Sequence, residues 1–182
     1  VLDIVNEVSG EESAEAAYRV MEFKTAAYTV ARPLELGARV AGASEELIDQ
    51  LRSVGHDLGI AFQLQDDLLG VFGDPERTGK PSGDDLAAGK RTALLALGLA
   101  RADERDPALG DALRSVLGTE LSPDELTSAR GILTDVGAVA DIERTIDTLL
   151  DSAITTLENT DIDDAVYTDL VDVARRMAHR NA

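Results

Sequence analysis

Cysteine is absent from the 182 residues. That removes disulfide scaffolding, thiolate metal ligation and thiol nucleophiles together, and it suits a reducing compartment, so a cytoplasmic location is the expectation. Basic residues are scarce as well, with 17 Lys and Arg against 35 Asp and Glu and a formal net charge of -18. Such a field repels nucleic acid and anionic membranes and attracts cations, which sets DNA and RNA aside as partners. Long apolar runs are missing too. The longest, such as ALLALGLA at 93–100, fall far short of the roughly 20 residues needed to cross a bilayer, so no transmembrane segment is expected. No charged start followed by an apolar core and a small-residue cleavage site is visible, and no secretory signal is expected. Alternating runs of β-branched and aromatic residues are also lacking, and prolines number only five.

What is present has helical periodicity throughout, dominated by Ala, Leu, Glu, Asp and Arg, and the expected class is all-α. Ser9 and Glu12 have the spacing of a capping box, which predicts a helix from there to about residue 31, stopped before Arg32-Pro33. Pro33 suits the first turn of the next helix. Ser44 can cap a long helix through about residue 72, while Asp106-Pro107 and Ser122-Pro123-Asp124-Glu125 supply further start signals. Gly137 is the expected stop before helices near 138–158 and 162–179, completing a bundle. The stretch 73–91, GDPERTGKPSGDDLAAGKR, carries four glycines, two prolines and eight charged residues, and is expected to be a long mobile loop with the character of a lid. At about one domain's length, a single compact unit is the default.

One apolar segment, AFQLQDDLLG at 61–70, sets two aspartates side by side. On a helix Gln63, Asp66, Asp67 and Gly70 share one face, while Leu64, Leu68 and Leu69 cover others. Buried carboxylates need a cation or a strong donor, and adjacent carboxylates with an amide one turn away suit a hard divalent ion that keeps several waters, Mg²⁺ above all. The dipeptide alone says little, because Asp84-Asp85 and Asp163-Asp164 repeat it. The lysines add weight. Against fourteen arginines there are three lysines, of which Lys80 and Lys90 lie in the glycine-rich loop directly after the carboxylate helix, and Lys24 lies in the apolar stretch MEFKTAAYTVA. An ammonium is a compact point charge suited to phosphate oxygens, so acids, metal and converging lysines describe a diphosphate site. A nucleotide P-loop is excluded at both Gly-Lys positions: each has five intervening residues instead of four, and Pro81 or Arg91 stands where Ser or Thr is needed. His56 and His179 are isolated and carry no assigned chemistry.

FQLQDDLLGVFGDPERTGKPSGDDLAAGKRT strongly resembles the second aspartate-rich region of the trans-isoprenyl diphosphate synthases, the polyprenyl synthetase family, and KTAAY at 24–28 followed by PLELGA resembles that family's preceding lysine-threonine helix. The resemblance implies an all-α bundle of the isoprenoid synthase type, here lacking its N-terminal helices, so that residues 1–182 are the C-terminal portion of a single domain. It implies a Mg²⁺-dependent prenyltransferase joining isopentenyl diphosphate to an allylic diphosphate with release of pyrophosphate, homodimeric in the complete enzyme. By the same likeness Asp66 and Asp67, with Gln63 beside them, and Asp85 through water, would serve the metal. Lys24, Lys80 and Lys90 would contact diphosphate, and Thr25 and Tyr28 would line the cavity near the developing carbocation. Two departures stand out. The motif's last aspartate is replaced by Gly70, which removes one carboxylate and is expected to weaken metal binding, and no DDxxD occurs anywhere in the chain. The isolated chain is therefore expected to be inactive. Two other functions remain open at this point, a noncatalytic helical partner of a complete synthase and an isoprenoid cyclase.

Overall fold

The structure is a computed structural model and describes residues 28–79 and 81–179. All regular structure among the described residues is helical: α1 (Arg32–Val40), α2 (Glu45–Phe72), α3 (Pro75–Thr78), α4 (Asp84–Ala87), α5 (Ala93–Arg105), α6 (Pro107–Val116), α7 (Pro123–Asp135), α8 (Ala138–Glu158) and α9 (Asp164–Ala178). The all-α expectation is met. The start signals act as the sequence indicates. The Ser44 hydroxyl accepts from the N–H of Leu47 at 3.2 Å, and Asp106 caps α6 with Pro107 in its first turn. Ser122 and Glu125 form both bonds of a capping box at the head of α7. Gly137, at φ 77°, separates α7 from α8 by adopting the left-handed conformation that a side chain would resist.

Two local expectations need correction. Ahead of Pro33 the chain does not break. Residues 28–31 form a wide, π-type turn that runs into α1, and Ala31 keeps helical dihedrals. A widened turn accommodates the proline, whose missing N–H and bulky ring disrupt the regular ladder. The segment 73–91 is likewise not a featureless loop, because α3 and α4 lie within it. Asp74 accepts from the N–H of Glu76, Pro75 supplies the fixed first-turn φ, and Gly79 closes the turn at φ 70°. These are the ordinary start and stop signals of a helix compressed into one turn.

The chain divides into two compact units. Among the described residues, one comprises 66–143 and the other 28–65 with 144–179. The first has a core of Leu68, Val71, Leu86, Leu94, Leu95, Leu99, Leu113 and Leu133. In the second, α1, the first three-quarters of α2, most of α8 and α9 bury Ile48, Leu51, Val54, Leu58, Leu64, Ile146, Leu157 and Val171. There Glu35 of α1, 9 % exposed, is ringed by Arg32 at 2.9 Å, Arg39 at 3.3 Å and Arg52 of α2 at 3.1 Å. No described helix is long and apolar enough to cross a membrane.

Candidate functional site

The C-terminal part of α2 carries the aspartate pair in the unit of residues 66–143. Asp67 is only 2 % exposed. Its Oδ2 accepts from the N–H of Ala93 at 3.2 Å, so its charge meets the positive end of α5, where four N–H groups lack partners within the helix. Thr92 caps the same end by accepting from Leu95 at 3.2 Å. The polar start of α5 therefore serves a residue on another helix. Asp66 is half-buried on α2, and Gln63, also half-buried, stands one turn before Asp67 on that helix.

Lys90 closes the arrangement. Its Nζ donates to Asp85 Oδ2 at 3.0 Å and lies 3.7 Å from Asp67 Oδ1. Burial acts to lower the lysine pKa, but the charges of Asp67, then Asp85 and Asp66, outweigh it and hold the pKa above its ordinary value. Lys90 is therefore an ammonium at any pH the protein meets. Asp67, Asp85 and Lys90 thus meet from α2, the start of α4 and the segment before α5, with Asp66 near enough for its charge to act on the lysine.

Gly70 turns out to matter for a reason its place in the motif does not disclose. A Cβ built there would overlap the carboxylate of Asp85. The bare backbone of α2 is what lets Asp85, itself 9 % exposed, lie against the helix and reach Lys90. The space that a motif aspartate would fill is occupied by a carboxylate from α4. Ala93 was passed over in the sequence, and Gly70 was noticed there only as a missing carboxylate. The Thr92 cap signal could have pointed to the first, whereas nothing local marks the second.

Other candidates are placed as follows. Lys24, Thr25 and Lys80 lie outside the described residues. Tyr28 is 77 % exposed in the unit that holds α1. Asp163 of the third aspartate pair is a helix cap, accepting from Ala165 at 2.8 Å. His179 ends α9, 3.5 Å from Asp147.

A sequence profile described as Polyprenyl synthetase matches residues 1–129. The chain belongs to the polyprenyl synthetase family. Among similar proteins, geranylfarnesyl diphosphate synthase of Aeropyrum pernix is 40 % identical over 104 residues, 57 % of this chain and 31 % of that protein. Geranylgeranyl diphosphate synthase of Mycobacterium tuberculosis is 36 % identical over 155 residues, covering 85 % of this chain and 43 % of the relative. In three dimensions the chain is similar to a geranylgeranyl pyrophosphate synthase of Corynebacterium glutamicum crystallised with isoprenyl diphosphate and magnesium, with 49 % identity and a TM-score of 0.95 over 99 % of this chain and 50 % of that one. Polyprenyl synthetase of Streptomyces coelicolor gives a TM-score of 0.87 at 29 % identity, over 98 % of this chain and 54 % of its own. The chain thus spans about half the length of the synthases with known structures that it matches.

Whether a metal suits this member of the polyprenyl synthetase family depends on its donors. No group of three acidic or imidazole side chains able to hold an ion forms among the described residues. An all-protein cage, of the kind Ca²⁺ takes, is not what is present. Mg²⁺ binds through one or two carboxylates and completes its octahedron with water and phosphate oxygens, and the half-buried Asp66 beside the buried Asp67 fits that requirement.

Proposed function

We propose that this chain supplies the second aspartate-rich wall of a prenyltransferase that condenses isopentenyl diphosphate with an allylic diphosphate and releases pyrophosphate. The observation that carries the reading is the gathering of Asp66, Asp67 and Asp85 around the ammonium of Lys90, at the end of α2 where the glycine-rich segment begins. Asp66 and Asp67 would hold Mg²⁺, with Gln63 beside them and Asp85 reaching the metal through water. The ion would neutralise charge building on the departing pyrophosphate.

The chain's own groups do the rest. Lys90, an ammonium bonded to Asp85, would share its charge with a phosphate oxygen, and Lys24 and Lys80 would add positive charge to the same anion. Thr25 and Tyr28 present hydroxyl oxygens to the cation that forms as the allylic C–O bond breaks. The double bond of isopentenyl diphosphate attacks that cation, and a proton leaves, with pyrophosphate as its acceptor. The segment 73–91 shields the cation from water, which would otherwise convert it to an alcohol. The complete enzyme would be a cytoplasmic homodimer and would carry the DDxxD wall that these 182 residues do not contain; the isolated chain would be inactive.

The lack of a DDxxD favours one second reading, a noncatalytic helical partner of a complete synthase. Incubating the complete protein with labelled isopentenyl diphosphate, an allylic diphosphate and Mg²⁺ separates the possibilities. A longer linear prenyl diphosphate is expected. A cyclic product from the allylic substrate alone would assign a cyclase, and product only on addition of a second synthase would assign the partner role.

A further inference from the structure

Arg130, on α7, makes three hydrogen bonds, all to neutral oxygens. Its Nε and Nη2 donate to the carbonyl of Val71 at 2.8 and 2.5 Å, and Nη2 also donates to the Ser82 hydroxyl at 2.5 Å. Ser82 in turn donates to the carbonyl of Gly73 at 2.9 Å. The guanidinium carbon lies 5.6 Å from the centre of the Phe72 ring. A fork of fixed donors thus joins the last turn of α2 to Ser82, two residues before α4 begins.

The placement is costly and specific. Val71 is in the last turn of a 28-residue helix, where carbonyls lack partners within the helix and the dipole is negative, so a cation from a different helix completes the end. Burial acts to lower the Arg130 pKa, yet arginine stays charged in proteins, so the charge is kept in a half-buried position and held by neutral oxygens alone among the described residues. Two of the three residues that Arg130 touches lie in α2, four to six residues beyond Asp66 and Asp67, and the third lies three residues before Asp85. Moving Ser82 away from Val71 would move α4, withdraw Asp85 from Gly70 and release Lys90 from its place beside Asp67.

We propose that Arg130 is a positioning residue for the carboxylate and lysine site, setting how Ser82 and the start of α4 lie against the end of α2; this rests on the prenyltransferase reading above. It touches no substrate itself. Its methylenes and ring contact could be matched by methionine, but the fork could not, and lysine can restore one bond of the three.

The test compares R130M and R130K with the parent in the complete protein, following kcat, the allylic-diphosphate KM, the Mg²⁺ concentration for half-maximal rate, Tm, and backbone hydrogen exchange. In R130M, kcat should fall about tenfold or more and the Mg²⁺ requirement should rise, as when outer partners of a metal site are lost. Exchange across 82–91 should quicken while α6 keeps its protection, and R130K should recover part of each change. Parent-like kcat and exchange in R130M, or losses that track Tm alone with no recovery in R130K, would overturn the role. Should the parent carry out no prenyl transfer, the function reading fails separately. Exchange across 82–91 then decides this inference alone: faster in R130M supports it, unchanged contradicts it.

Discussion

Glu35 and Asp67 are both buried carboxylates, at 9 % and 2 % exposure, yet they meet positive charge in different ways. Three guanidinium groups surround Glu35, and two of these are themselves tied to a second acid, Arg39 to Glu45 and Arg52 to Asp49. Arginine forks stay charged and lose little freedom for each bond they form, so this cluster is a fastening between α1 and α2. Asp67 instead accepts from the backbone N–H of Ala93, and among its neighbours is a lysine 3.7 Å away, which it shares with Asp85 and whose side chain is 37 % exposed. A flexible ammonium can turn part of its charge toward an arriving anion. Charge held in arginine forks marks structure, whereas a flexible lysine set among carboxylates leaves capacity for chemistry.

That contrast breaks first at Asp67. In the complete protein, Asp67→Asn should cut prenyl transfer by about 100-fold or more, the scale of losing one preorganised electrostatic contact. Glu35→Gln should leave kcat near the parent value while lowering Tm. Comparable loss of kcat from both changes would erase the distinction.

Gly70→Asp sharpens it. Supplying the aspartate that the family motif carries should destabilise the unit by about 1–3 kcal/mol in denaturant titration, because the added Cβ meets the Asp85 carboxylate in a filled space. Activity should fall rather than improve. The paired change Gly70→Asp with Asp85→Gly should recover stability relative to Gly70→Asp alone, and a simple sum of the two single effects would show that the positions are not exchanged in space.

The arginine cluster has a pH signature. A hydrogen bond from Arg52, against the opposing effect of burial and helped by Arg39 and Arg32, holds the Glu35 carboxyl below its ordinary value of 4.5. A lowered folded pKa contributes stability that is present above the unfolded value and is lost as pH falls through the lowered one. Glu35→Gln should therefore flatten the stability profile below about pH 4.5, measured by thermal melts, and leave its shape above that pH unchanged. The smallest effect expected is at a site remote from both clusters: Ser122→Ala removes one partner of the α7 capping box and should cost about 1 kcal/mol.

The sequence revealed most where residue type and spacing carry the signal locally. Ser122 with Glu125, Asp106 with Pro107 and Gly137 mark their helix ends because capping chemistry acts within four residues. Asp66, Asp67 and Lys90 were legible as members of one site because few lysines face many acids and Lys90 follows the aspartate pair closely, whereas Asp85 was drawn in only by the family resemblance. Pro33 misled because a wide turn can absorb a proline that a regular turn cannot. Segment 73–91 misled because glycine and charge content hide two single-turn helices. Gly70 looked like a deficit, since the carboxylate that fills its place lies fifteen residues further along. Arg130 gave no signal at all: it binds a backbone carbonyl, which every residue possesses.

The central claim is that Asp66 and Asp67 grip a diphosphate through Mg²⁺. It is tested most directly by titrating the complete protein calorimetrically with pyrophosphate, with and without Mg²⁺, for the parent and for the Asp66→Ala, Asp67→Asn double variant. Binding by the parent should require Mg²⁺, and the double variant should lose at least about 100-fold in affinity with the metal present. Equal pyrophosphate affinity with and without Mg²⁺, or an undiminished affinity in the double variant, would contradict it.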